Sequence, residues 1–286
     1  MKQNLSEIQK VLLYTFKAFT TLCKKYNIKY YAAFGTALGA IRHHGFIPWD
    51  DDIDVYIPRN DYNKFIELKN QIGDDYKIID IQDDKYFMYF AKFINNKTTI
   101  WEKEELPFVY GVFIDIFPID FYNEDQKEDI RHKNIEFSNI YKKFFKAQRN
   151  NTLKYCWKCI KNFSFIKLIK TIETIIIYHP NKKLYKSKLE KLISYFANIK
   201  GNYLCRYSPD IDESSIYPIN WFAEGVEFPF EDTTIILPKY YDLYLKKEFG
   251  NYMKLPQKEK QVSNHDMYFI DLHHKYTIKE IQNIMK

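Results

Sequence analysis

The sequence predicts an α/β (α+β) domain, a mixed sheet flanked by helices and interrupted by a basic, mainly helical insertion. Three observations predict it. Helix-period and strand-period segments alternate through residues 1–120, one central stretch holds the positive charge, and strand-like runs return after it. The 286 residues are 46% hydrophobic and 28% charged, the balance of a globular protein. The 8 Gly and 10 Pro follow no period, so collagen-like and solenoid classes drop out.

In chain order, residues 3–26 carry apolar side chains at helical spacing (Leu5, Ile8, Leu12, Phe16, Phe19, Cys23). Ile28 to Phe34 is a buried strand. Gly35 breaks it, Thr36 is positioned to cap a helix through Arg42, and Gly45 and Pro48 punctuate a loop. Asp52 to Ile57 is a second strand ended by Pro58, and Arg59 to Gln71 a helix. Three extended runs follow: Tyr76 to Ile81, Tyr86 to Ile94 and Val109 to Ile116. Residues 124–200 read as helical, Glu227 to Leu237 as short strands, and Tyr240 to Phe249 as a helix closed by Gly250. The division is a catalytic core over 1–123, an insertion over 124–200, and a C-terminal return to the core over 201–286.

The overall charge of +6 is unevenly spread. Residues 131–200 hold 15 Lys and 2 Arg against 3 Glu, a net +14, which leaves −8 for the remainder. Between the lysines lie Phe144, Phe145, Trp157, Phe163, Phe165, Ile166, Leu168, Ile169, Ile172, Ile175, Ile176 and Ile177. Basic amphipathic helices of this kind suit an anionic membrane surface, because ammonium groups meet head groups while apolar side chains reach the acyl boundary. The alternative is a helical insertion packed on the core with its lysines in water. No zinc-finger, RRM or helix-turn-helix signature accompanies the charge, so nucleic acid is not an expected partner. Cys23, Cys156, Cys159 and Cys205 are too few for a disulfide framework, and the single CxxC lacks a second pair for zinc. No uncharged apolar run reaches the ~18 residues of a spanning helix. The expected location is cytoplasmic, with peripheral contact at the inner face of the plasma membrane.

The chemistry concentrates in Ile47-Pro-Trp-Asp-Asp-Asp-Ile-Asp-Val-Tyr-Ile57. On a strand, Asp52 and Asp54 share a face about 7 Å apart, and Asp50 shares it by parity, while Ile53, Val55 and Ile57 face the core. Asp51 reads as a solvated turn residue. Two unpaired carboxylates on one face repel each other, whereas a divalent metal takes both as hard oxygen ligands and shares its remaining positions with phosphates. Asp115, embedded in Val112-Phe-Ile-Asp-Ile-Phe-Pro118, is a third carboxylate that needs a cation. Gly35-Thr36 at a helix start suits an anion, since free N–H groups point outward and glycine allows close approach. Neither a P-loop nor a Rossmann glycine pattern occurs. Gly-Thr before a helix, then a strand bearing DxD, then a later strand bearing a third Asp, resembles the nucleotidyltransferase arrangement.

The run from Phe34-Gly-Thr-Ala-Leu-Gly through Arg42-His-His-Gly-Phe-Ile-Pro-Trp-Asp-Asp-Asp-Ile-Asp54 resembles the signature of the LicD family of phosphocholine transferases, relatives of the fukutins. The likeness continues in Pro58-Arg-Asn-Asp-Tyr62, Val112 to Pro118, Pro238 to Leu245, Phe249-Gly-Asn-Tyr-Met253 and His265. It covers residues 1–120 and 220–266. Ala37, Phe249 and Asn251 depart from the family pattern, none of them at a proposed metal ligand.

The resemblance implies transfer of a phosphoalcohol, chiefly phosphocholine from CDP-choline, to a hydroxyl of a cell-surface or lipid-linked glycan, with CMP leaving. Its implied cofactor is Mg²⁺ (or Mn²⁺) on Asp52, Asp54 and Asp115. Gly35 and Thr36 cradle the donor phosphate, with Asp50 and His265 beside it. Arg42 answers phosphate charge or pairs with Asp50 or Asp51, and His43 assists proton transfer. Trp49 and Trp221 are candidates for a choline cage or for the core, and the His273-His274 pair is inert. Other CDP-alcohols carrying phosphoribitol or phosphoethanolamine, nucleotidyl transfer, a DxD glycosyltransferase and a non-catalytic membrane-surface protein are the alternatives.

Overall fold

The computed structural model describes residues 5–209, 215–263 and 267–285. Helix α1 (Leu5–Lys25) buries Ile8, Leu12, Phe16, Phe19 and Cys23, the stripe its periodicity predicts. Strand β1 (Tyr31–Ala32) is shorter than expected, because Phe34 already begins α2 (Phe34–Arg42). The loop after α2 leads to β2 (Asp54–Pro58), α3 (Arg59–Glu67), β3 (Tyr76–Ile79) and β4 (Ala91–Asn95). Tyr86 and Phe87, expected on a strand, are instead a buried loop before β4. Strand β5 (Thr99–Trp101) was not anticipated, and β6 (Phe113–Tyr122) runs ten residues, through Pro118.

The insertion is helical as expected: α4 (Lys127–Ala147), α5 (Leu153–Lys161), α6 (Phe165–Glu173) and α7 (Lys182–Ala197). Strands β7 (Tyr203–Cys205), β8 (Ile216–Pro218), β9 (Gly225–Phe230) and β10 (Thr233–Pro238) follow. Helix α8 (Tyr241–Phe249) stops at Gly250 with φ +64°, the left-handed stop that glycine permits. Strand β11 (Phe269–Asp271) and α9 (Ile278–Ile284) complete the described chain.

The main sheet is mixed, in the order β1-β2-β6-β4-β3, with β7 added to the far end of β6 and β8 to β7. Among the described residues only β2 and β6 pair in parallel; their long crossover is built from α3, β3, β4 and β5. Their register sets Asp54 opposite Asp115, and the antiparallel β4–β6 pairing sets Lys92 opposite Asp115 from the other side. One hydrophobic cluster joins α1, the sheet, β9, β10 and α8. A second, formed by Tyr122, Ile130, Phe137, Phe144, Leu189, Leu192 and Phe196, holds α4 and α7 together. Between the two clusters, Arg59 of α3 grips Asp120 of β6 with both forks, at 2.6 and 2.7 Å, a buried pair whose charges satisfy each other.

Candidate active site

The first turn of α2 lies beside the start of β2. Thr36 is inside the helix and is not its cap. The cap residue is Ala33, and Thr36 Oγ1 instead accepts the backbone N–H of Asp54 at 2.9 Å, tying helix to strand. Phe34 takes φ +43°, a left-handed conformation uncommon for a side-chain-bearing residue. Its N–H donates to Tyr244 Oη at 2.9 Å, and its ring packs between Tyr56 and Phe117 under the Arg206 guanidinium. With that N–H taken, Gly35 and Thr36 hold the remaining first-turn donors. A Cβ on residue 35 would fall 2.7 Å from Asp50 Oδ2, so any larger residue would displace the Asp50 carboxylate, which occupies the mouth of the helix.

Asp54 opens β2, whereas Asp52 belongs to the extended approach and not to the strand. The alternation survives: Ile53 and Val55 are fully buried, while Asp50, Asp52 and Asp54 are half-buried. Asp51 is not a solvated turn. It is buried and accepts a hydrogen bond from Ser263 Oγ at 2.7 Å. Burial, then the negative charges of Asp52, Asp115 and Asp50, push Asp54 well above the ordinary carboxylate range, while Lys92 pulls it back.

Asp115 sits inside the sheet and meets Lys92 Nζ at 2.6 Å. Burial raises its carboxyl to about 6; Lys92 opposes this through charge and hydrogen bond, and Asp52 and Glu102 add to the rise. Lys92 is itself buried, 3.4 Å above the centre of the Phe113 ring and 4.0 Å from Glu102, which in turn accepts from Tyr110 Oη. This lysine was missing from the sequence reading. Its signal is a cation in the buried run Phe90-Ala-Lys-Phe-Ile94, complementary to the anion in Val112 to Pro118.

Arg42 Nη1 donates to the Tyr252 carbonyl at 2.8 Å and Nε to His43 Nε2 at 3.0 Å. Burial, then Arg42 and His44, lower the His43 pKa, so its imidazole stays neutral near pH 7. Trp49 packs edge-on against His43 and Trp221 lies beside Tyr217; both rest half-buried on the core. His265 lies outside the described residues. His273 and His274 donate their backbone N–H groups to Asp271 Oδ1.

Four contacts explain why the C-terminal third belongs to this site. Tyr244 takes the Phe34 N–H, Tyr252 takes Arg42, Ser263 takes Asp51, and Glu231 in the β9–β10 turn accepts the Phe46 N–H at 3.0 Å. Glu231 lies so close to Gly45 that a Cβ there would overlap it.

The acidic donors are all oxygen ligands, which suits a hard divalent cation. Two register-matched carboxylates whose ionisation burial and repulsion oppose are a fitting receptor for one. Among the described residues, no three His, Cys, Asp or Glu side chains are already drawn together as a metal site, so a cation would have to gather its carboxylates on binding. Lys92 supplies the positive charge beside Asp115.

A helix start facing paired carboxylates on adjacent strands of a mixed sheet defines a nucleotidyltransferase-type domain. Residues 27–157 match the family described as LicD/FKTN/FKRP, nucleotidyltransferase domain. The lipopolysaccharide cholinephosphotransferase LicD of Haemophilus influenzae is 29% identical over 273 residues, spanning 92% of this chain and 97% of that protein. An uncharacterized protein of Rickettsia typhi is 33% identical over 143 residues, 49% of this chain and 43% of its own length. By that domain match and by the likeness along nearly its whole length, the chain is similar to the LicD family.

Proposed function

We propose that the protein transfers phosphocholine from CDP-choline to a hydroxyl of a cell-surface glycan, lipopolysaccharide or a similar polymer, and releases CMP. One observation carries the reading: Asp54 and Asp115 are direct partners across β2 and β6, beside the α2 start, in a chain similar along 92% of its length to a cholinephosphotransferase.

Asp52, Asp54 and Asp115 would hold Mg²⁺ (or Mn²⁺), which when bound neutralises the diphosphate and eases departure of CMP. Asp115 accepts the proton of the acceptor hydroxyl. A carboxyl raised to about 6 is mostly ionised at neutral pH and more basic than an ordinary aspartate. Lys92, bonded to Asp115 Oδ1, fixes which carboxylate oxygen is left to face the acceptor. The hydroxyl oxygen then bonds to the phosphocholine phosphorus, the bond from that phosphorus to the bridging oxygen breaks, and CMP leaves with the electron pair. The Gly35 and Thr36 N–H groups receive a donor phosphate oxygen once Asp50 turns from the helix mouth. Arg42 uses Nε and Nη1 within the protein and has Nη2 left for phosphate.

The test is CMP release from CDP-choline, CDP-ethanolamine and CDP-ribitol with Mg²⁺, with and without a membrane-glycan extract. Acceptor-dependent release from CDP-choline, abolished in Asp54→Ala and Asp115→Ala, is the expected result. Release from another CDP-alcohol alone would reassign the donor. Silence across the panel, with diphosphate released from a nucleoside triphosphate, would replace the reading by nucleotidyl transfer.

A further inference from the structure

Helices α5 and α6 form a hairpin that is inside out. In α5, Tyr155 and Cys159 face inward while Leu153, Trp157 and Ile160 face solvent. In α6 and the π-helical stretch Thr174–Tyr178 that continues it, the buried residues are Thr171 and Thr174. Their hydroxyls fold back onto the carbonyls four residues earlier, at 2.7 and 2.8 Å, and so satisfy themselves inside the protein. The isoleucines and phenylalanines point outward. Phe163, at the tip with φ +51°, is 81% exposed, Ile166 71% and Phe165 61%. Single exposed apolar residues need no explanation, but a contiguous set on one hairpin does.

The charge beside this face selects its occupant. Lys158 and Lys167 bind Glu104, the former closely and the latter at 3.7 Å, fastening the hairpin to the loop after β5. Lys154, Lys161 and Lys170 stand in solvent around the apolar face. A rim of ammonium groups repels a second copy of the same surface and complements an anionic lipid head-group layer. Among the described residues no helix is long and apolar enough to cross a bilayer.

We infer that the α5–α6 hairpin is a membrane foot that inserts Trp157, Phe163, Phe165 and Ile166 into the interface of an anionic phospholipid bilayer, with Lys154, Lys161 and Lys170 at head-group level. Its fastening has a geometric consequence. Glu104 grips the hairpin, and Glu102, two residues earlier, faces Lys92 of the carboxylate site. One short loop therefore joins the membrane contact to the candidate active site, as suits an acceptor carried on a lipid. Membrane binding itself does not depend on the donor chemistry.

The experiment is cosedimentation of the full chain with phosphatidylcholine vesicles, with and without phosphatidylglycerol, at low and high salt. Two triple variants accompany it, Phe163→Ser/Phe165→Ser/Ile166→Ser and Lys154→Glu/Lys161→Glu/Lys170→Glu. All six side chains are exposed, so both variants keep the wild-type circular dichroism spectrum. The wild type pellets with anionic vesicles only, salt weakens it, and each triple variant lowers partitioning about tenfold or more. Indifference of the wild type to anionic vesicles, or equal binding by the variants, overturns the proposal. So does a dimer, seen by sedimentation velocity, that the apolar substitutions disperse without any vesicle binding.

Discussion

In the sheet, Asp54, Asp115 and Lys92 are charged groups drawn away from water; on the α5–α6 hairpin, Phe163, Phe165 and Ile166 are apolar groups left in it. Each arrangement costs stability. Burying a charge costs several kcal/mol unless a partner is close, and each large apolar side chain kept in water forgoes about 1.5–3 kcal/mol of burial. The sheet limits its cost through Lys92, which lies against Asp115 and the Phe113 ring. Among the described residues, no such partner covers the hairpin. Both regions show where this fold gives up stability, and the difference lies in whether the compensation is internal or must come from a partner surface.

The largest effect expected is on chemistry. Asp115→Ala should lower CMP release by about 10³-fold or more, since it removes a proposed metal ligand and the proton acceptor together. Vesicle binding should not change, which separates the two regions.

Lys92→Met tests the internal compensation. Removing one partner of a buried pair should cost about 3–5 kcal/mol in urea unfolding, because Asp115 is left buried without its cation. The double variant Lys92→Met/Asp115→Leu should recover most of that stability and no activity. Additive losses in the double variant would show that the pair is not the unit.

Thr36→Val sharpens the account of how helix meets strand. It leaves the Asp54 N–H without its acceptor and should cost about 1–3 kcal/mol. The smallest effect is a control remote from both regions. Thr277 closes a capping box with Glu280 at the start of α9, so Thr277→Ala should cost about 1 kcal/mol of thermal stability, with turnover and vesicle binding intact.

Much of this was legible in the sequence. The Leu5–Lys25 stripe, the acidic approach to β2, the Asp115 strand and the Gly250 helix stop are local patterns, and local patterns can be read from one chain. What escaped reading depends on pairing across distant segments. Thr36 looked like a cap until a strand donor lay beside it, and Asp51 looked solvated until Ser263 covered it. Lys92 looked like an ordinary strand residue because only the β4–β6 register sets it opposite Asp115. The hairpin was half visible: residues 131–200 declared their charge and apolar content, but not that threonines would turn inward and isoleucines outward.

Holding Asp54 beside Asp115 against burial and repulsion costs the fold stability, and Asp54→Asn measures that cost. Because the folded state raises the Asp54 and Asp115 pKa values above the unfolded range, these groups favour folding when protonated. That contribution is fully present below the unfolded value and is lost as pH rises through the folded one, about 6 for Asp115. Neutralising Asp54 should therefore raise the melting temperature at neutral pH without added metal, by about 2–4 °C, a gain that shrinks as pH falls. The same preparation should release no CMP from CDP-choline and show no stabilisation by Mg²⁺. A lower melting temperature with turnover retained would contradict the account.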